Sequence, residues 1–295
     1  MKPAPFAFER PRDLAALLDR LAQAEGSVKL IAGGQSLGPM LNLRLVEPAL
    51  VIDITGIPEL RAARLDGGTL VLGACVTHAD IEDGRVPDVT GGAMARVAAA
   101  IAYRPVRNRG TVGGSLVHAD PAADWVTALT ALGAEVEIAG RSGRRRLALE
   151  EFVTGALDVA LAPGEILAAV RIPALPPSAS WGYVKHCAKI GEFAHAIGAV
   201  RIDAGAGTGR AVIGAIERAP LLLADARPLF GGRIGRDFPE TFDPRAADAA
   251  LLSAGLTDAA DRHVHVTVLA RAVAQAARPS THPAPTTGER LIEAA

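Results

Sequence analysis

The sequence predicts an α+β protein of two or three compact lobes, on three observations. The chain has 295 residues, 49% of them hydrophobic and 21% charged, which supplies a sizeable core and exceeds what one small module needs. Its 31 glycines and 20 prolines cut it into short segments in which strand-like and helix-like patterns alternate. Pro173, Pro176 and Pro177, followed by Ser178 and Ser180, then mark a boundary near residue 177, beyond which a hairpin pattern precedes helical ones.

Residues 13–24 place Leu14, Leu17, Leu18 and Leu21 on one helical face, with Pro11 upstream and Gly26 just past the end. Residues 28–31 read as a strand that stops at Gly33-Gly34, and 50–54 and 69–73 as two more strands. The opening is read as a β–α–β–β unit and expected to form a small α+β lobe of about 75 residues, although no strand is assigned ahead of its helix. Residues 77–83 and 91–102 read as helices, and 107–115 as a basic, turn-forming run. A short helix over 125–132 and strands over 134–139 and 165–172 follow. Residues 194–202 and 210–216 flank the glycine loop 205–209 as a hairpin, and 246–254 and 264–277 carry helical patterns. Residues 279–295 are polar and proline-rich and are expected to form a flexible tail.

Lys and Arg number 31 against 32 Asp and Glu, for a net charge of −1, which argues against a protein that coats nucleic acid or an anionic membrane. Two cysteines, Cys75 and Cys187, cannot build a disulfide framework, a four-thiolate iron–sulfur centre or an all-cysteine zinc site. The sequence has no apolar run of membrane-spanning length and opens without a signal-peptide stretch, so a cytoplasmic location is expected.

Two segments could carry chemistry. The first, Ile31-Ala32-Gly33-Gly34-Gln35-Ser36-Leu37, leaves a strand; adjacent glycines allow a sharp turn that brings backbone N–H groups to an anion, and the Ser36 hydroxyl adds a donor. A glycine pair alone is equally what ends any strand in a tight turn. Gly34-Gln35-Ser36-Leu37-Gly38 also matches the G-x-S-x-G nucleophile elbow of serine hydrolases, but only 35 residues precede Ser36, too few for the upstream oxyanion-hole strand that fold requires. The second segment runs from Thr111 through Gly113, Gly114 and Ser115 to His118, Asp120 and Asp124. It repeats the same logic, with an acid able to accept hydrogen bonds from ligand hydroxyls. Two such segments suit a ligand whose two phosphates are gripped from two sides, and neither is a Rossmann fingerprint or a P-loop. His263 and His265 are splayed on a helix, and the run 141–146 (RSGRRR) reads as a solvated hairpin tip.

AGGQSL, RNRGTVGGSLVHADPAAD, PGEILAAVRIP and GYVKHCAKIGEFA, in that order and spacing, resemble the FAD-binding medium subunits of molybdenum hydroxylases, the carbon monoxide dehydrogenase and xanthine dehydrogenase family. The likeness weakens after about residue 230. It implies a vanillyl-alcohol-oxidase-like (PCMH-type) FAD-binding fold: lobes over 1–60 and 61–177, then a C-terminal domain over 178–278 with a three-stranded antiparallel sheet and helices. It implies that residues 31–37 (Ile31, Ala32, Gly33, Gly34, Gln35, Ser36, Leu37) wrap the FAD pyrophosphate. Thr111, Gly113, Gly114 and Ser115 would line its other side, with Ile101 and Ala102 nearby. Asp124 would accept from cofactor hydroxyls, Leu167 would lie near the adenine or flavin, and Lys185 and Phe193 would lie at the isoalloxazine end. Ser115 stands where relatives often have asparagine, and Phe193 where they often have tyrosine. The implied partners are a large molybdenum-cofactor subunit and a small 2Fe-2S subunit, with NAD, oxygen or another acceptor reoxidising the FAD. A stand-alone flavin oxidoreductase of the same fold, and a hydrolase using Ser36, are the alternatives.

Overall fold

The computed structural model describes residues 2–278; the predicted tail over 279–295 lies outside the described residues. The first sheet is parallel, with Leu50–Asp53 in the middle and Ala7–Glu9 and Val28–Ile31 on its flanks. The helix Leu14–Ala22 covers it with Leu14 and Leu17, and Asp13 caps that helix by accepting from the Ala16 amide.

The second sheet is antiparallel, in the order Ala63–Asp66, Thr69–Gly73, Ile166–Pro173, Glu135–Gly140, Gly143–Ala148. This corrects the expected β–α–β–β opening: Thr69–Gly73 leaves the first sheet and hairpins with Ala63–Asp66 instead. The Gly67-Gly68 turn, with both residues at positive φ, makes that hairpin, and its first strand escapes pattern reading because it is only four residues long. The run 141–146 is likewise only partly a tip. Arg144 and Arg145 lie on a strand, where Arg144 pairs with Glu137 at 2.8 Å and Arg145 with Glu165 at 2.6 Å.

The third sheet is antiparallel and has four strands, not three: Ala179–His186, Ala196–Asp203, Thr208–Gly214 and Leu221–Leu223. The fourth is three leucines, too short to show an alternation, and it is a strand only because Ala211–Ile213 offers it an open edge. The hairpin between Ala196–Asp203 and Thr208–Gly214 is as expected, but its tip is residues 204–207, since Thr208 and Gly209 already pair with Asp203 and Ile202.

The helix Asp124–Leu132 has all nine residues buried, and its core joins the second sheet to Trp181, Ala199 and Val212 of the third. The carbons of Gly214 lie so close to it that a side chain there would meet Thr127. The long helix Ala259–Ala276 covers the other face of the third sheet, where Gly182 and Gly198 admit its backbone at Ala272 and Leu269. His265 is buried inside that helix, so the His263/His265 pair presents no joint face for a metal.

Candidate functional site

The first glycine segment crosses from the strand Val28–Ile31 into the short helix Leu37–Asn42. Gly34 has φ +71°, a region that favours glycine, and Gly33 is required by close approach: a Cβ there would lie 1.9 Å from the Arg109 carbonyl oxygen and 2.9 Å from the Gly110 Cα. The two glycine segments are thus in backbone contact at Gly33 and Gly110. Among the described residues, no protein acceptor takes the backbone N–H of any residue from Gly33 to Leu37. The Ser36 hydroxyl is equally unengaged, neither capping its helix nor meeting a histidine, so the nucleophile–base pair a serine hydrolase needs is absent among the described residues.

Residues 107–115, expected to be a turn-forming run, are turn and extended backbone only over 108–111. The helical turn Arg104–Arg107 precedes them, and the helix Val112–His118 of the second segment follows, with Thr111 as N-cap accepting from the Gly114 amide. Glycine at Gly113 serves packing: its amide donates to Ala74 O, and a Cβ would meet the Ala74 methyl at 2.4 Å. Val112 donates to Val76 O. The two segments therefore differ in what they offer. The first presents unengaged amides, while the amides of the second are consumed internally and it presents shape, small side chains and the Ser115 hydroxyl.

All the sequence-predicted site residues except Ile31 and Lys185 line one cavity of about 600 Å³: residues 32–37, Ile101, Ala102, Thr111, Gly113, Gly114, Ser115, Asp124, Leu167 and Phe193. That volume suits a small-molecule or cofactor site. Phe193 is 71% exposed at its mouth, and Leu167 is buried in its wall. Ala102 is held at φ +41°; its carbonyl and that of Ile101 accept from Arg107 Nη1, whose guanidinium is clamped by Glu82 at 2.7 and 2.9 Å.

Lys185 is not in the cavity wall but behind it. Its Nζ donates to Ala100 O at 2.7 Å and pairs with Asp124 at 2.9 Å, and the Tyr183 hydroxyl donates to the same carboxylate at 2.6 Å. Burial raises the Asp124 pKa, against the opposing pull of Lys185 and Tyr183. Lys185, expected at the isoalloxazine end, thus reaches the cavity through Asp124, which lines it, because a buried carboxylate of opposite charge takes the ammonium.

His78 went unpredicted as a site residue, yet it lines the same cavity and is 5% exposed. Its Nδ1 accepts from Trp125 Nε1 at 3.0 Å, a partner 47 residues away that no local signal could reveal. Burial, with the Arg107 charge adding to it, pushes the His78 pKa down to about 4. Histidine in the unfolded chain takes up its proton near pH 6.5, so the stability associated with a neutral buried ring is complete above that pH and is lost as pH falls through about 4. Wild type is expected to lose about 2–3 kcal/mol more than His78→Asn between pH 7.5 and 4.5 in urea unfolding. Equal losses would show that the ring is not buried neutral.

Residues 4–175, more than half of the chain, match the family described as the FAD binding domain in molybdopterin dehydrogenase. The chain belongs to this family. It is an FAD-binding oxidoreductase subunit. The caffeine dehydrogenase subunit beta of Pseudomonas sp. (strain CBB1) is 34% identical over 292 residues, covering 91% of this chain and 99% of that protein. The carbon monoxide dehydrogenase medium chain of Hydrogenophaga pseudoflava is 33% identical over 258 residues, covering 85% and 88%. Among solved structures, the Hydrogenophaga pseudoflava carbon monoxide dehydrogenase that lacks the Mo-pyranopterin moiety superposes with a TM-score of 0.81 at 30% identity, covering 94% of this chain and 98% of that one. Quinoline 2-oxidoreductase from Pseudomonas putida 86 also gives a TM-score of 0.81, at 28% identity, covering 96% and 100%. The residues of the cavity fit the family's cofactor. The unengaged amides of residues 33–37 offer donors to a diphosphate, and Gly33 and Gly113 let the backbone pack against Arg109 and Ala74, which any side chain would prevent. No helix among the described residues is long and apolar enough to cross a membrane.

Proposed function

We propose that this chain is the FAD-carrying medium subunit of a molybdenum hydroxylase, working in the cytoplasm between a 2Fe-2S partner subunit and a final acceptor such as NAD or oxygen. In this reading a large molybdenum-cofactor subunit oxidises the substrate, and this chain's part is to hold and tune the flavin. FAD, when bound, supplies chemistry that accepts electrons singly and passes them on singly or in pairs. The observation that carries the reading is the convergence of both glycine segments on one cavity, with the free amides of one facing the capped helix of the other.

The residues have distinct tasks. The amides of residues 33–37 and the Ser36 hydroxyl bind the diphosphate, and Gly114 and Ser115 close over it from the other side. Asp124 keeps acceptor capacity towards ligand hydroxyls beyond its bonds to Tyr183 and Lys185, since an ionised carboxylate can accept about four hydrogen bonds. Leu167 supplies an apolar wall, and Phe193 at the mouth covers the ring end by stacking. The lobes over 1–60 and 61–177 frame the cavity, and the domain over 178–278 closes it through Asp124.

Absorbance of the purified chain and chromatography of the released cofactor test this directly. The expected result is FAD, with two further chains, one containing molybdenum and one iron, co-purifying from the producing organism. Turnover by the isolated chain would instead select a stand-alone flavin oxidoreductase. Ser36→Ala is expected to retain FAD with affinity lowered about ten- to hundredfold, the worth of one hydrogen bond to a charged group. An unchanged Kd in fluorescence titration would remove Ser36 from the diphosphate site.

A further inference from the structure

We propose that His78 donates a hydrogen bond from Nε2–H to the diphosphate of the bound dinucleotide, with Trp125 fixing the tautomer that makes it a donor. The inference rests on the cavity being the FAD site. Indole Nε1–H can only donate, so the bond from Trp125 at 3.0 Å requires an unprotonated Nδ1 and leaves the proton of the neutral ring on Nε2. Nε2 has no acceptor among the described residues, although the side chain is 5% exposed and lines the cavity. That nitrogen is not among the fully buried unpartnered atoms, so it is open to solvent, where a ligand acceptor can take the place of water.

Position selects the acceptor. Nε2 lies against Gly110, where a Cβ would stand 2.8 Å from it, and Gly110 directly follows Arg109, whose carbonyl Gly33 approaches most closely. The imidazole therefore sits at the junction of the two glycine segments, beside the unengaged amides, where an anionic oxygen is best placed. The backbone holds it there as well, since the His78 amide donates to Gly110 O at 2.9 Å and Thr77 caps the helix that begins at His78. Being neutral, the ring binds an anion as the amides do, without adding a charge that the half-buried Arg107 nearby would oppose.

The test uses the full chain freed of flavin and titrated with FAD, with ADP (diphosphate without flavin) and with riboflavin (flavin without phosphate). His78→Phe is expected to weaken FAD and ADP about ten- to hundredfold and leave riboflavin unchanged. Trp125→Phe, which removes the tautomer lock, is expected to weaken the same two ligands by less. In histidine-labelled wild-type protein, nitrogen NMR should show the Nε2–H tautomer before ligand and a shift of that resonance on adding ADP. If His78→Phe does not fold, those spectra decide alone. An Nδ1–H tautomer, a His78 resonance indifferent to ADP, or equal weakening of ADP and riboflavin would overturn the proposal while leaving FAD binding intact. Wild-type protein that binds no FAD would instead overturn the cofactor reading, and the proposal with it.

Discussion

Gly33→Val is expected to abolish FAD binding while leaving most of the protein folded. The new Cβ would fall 1.9 Å from the Arg109 carbonyl oxygen and 2.5 Å from its carbon, and both are backbone atoms that cannot swing aside as a side-chain end could. Relief requires the two glycine segments to part, which moves the amides of residues 33–37 away from Gly110 and Thr111. Overpacking of this kind costs about 1–3 kcal/mol or more, and about 3 kcal/mol is a hundredfold or more in affinity. The variant should therefore purify colourless, with far-ultraviolet circular dichroism close to wild type, because the strand Val28–Ile31 and the core around Leu17 and Ile52 lie outside the clash. Full flavin absorbance would show that the segments do not have to touch.

Lys185→Met is the second substitution with a large expected effect, and it acts on stability. It removes the ammonium from Asp124 and Ala100 O and leaves a carboxylate that is 8% exposed with only the Tyr183 hydroxyl as side-chain partner. Breaking one side of a buried ion pair costs about 3–5 kcal/mol. In a protein of this size that corresponds to a Tm lower by roughly 10 °C. Asp124→Asn combined with Lys185→Met should recover part of the loss, since the amide carries no charge to strand. A Tm change below about 2 °C would mean that the pair is effectively solvated and worth no more than a surface bridge. Because Lys185 comes from the third sheet and Asp124 opens the buried helix beneath it, the same substitution should loosen FAD through the cavity wall.

Much of the site was legible because its signals are local. Gly33-Gly34 after an apolar strand describes a turn that depends on neighbours in sequence, whereas the Thr111 cap, equally local, lies in a run whose glycines read as a turn. The short amphipathic helix over Leu14–Ala22 and the hairpin around residues 205–209 were readable for the same reason. Elements that gain their structure from a distant partner were not. Leu221–Leu223 becomes a strand through the edge of Thr208–Gly214, and Ala63–Asp66 alternates over only four residues, too short a run to announce a strand without its partner Thr69–Gly73.

From sequence alone came the α+β class and both glycine segments, since glycine placement and apolar periodicity constrain backbone geometry directly, while the family and the residues expected around its cofactor came with the resemblance that the four motifs carry. Tertiary structure decided which groups those residues face. The Lys185 ammonium turns to Asp124, 61 residues away, because a buried carboxylate cannot stay unpaired. The His78 ring becomes a fixed donor only because Trp125 arrives from the buried helix to occupy its other nitrogen. Charge pairing and tautomer choice are properties of contacts, and contacts across such separations exist only once the chain has folded.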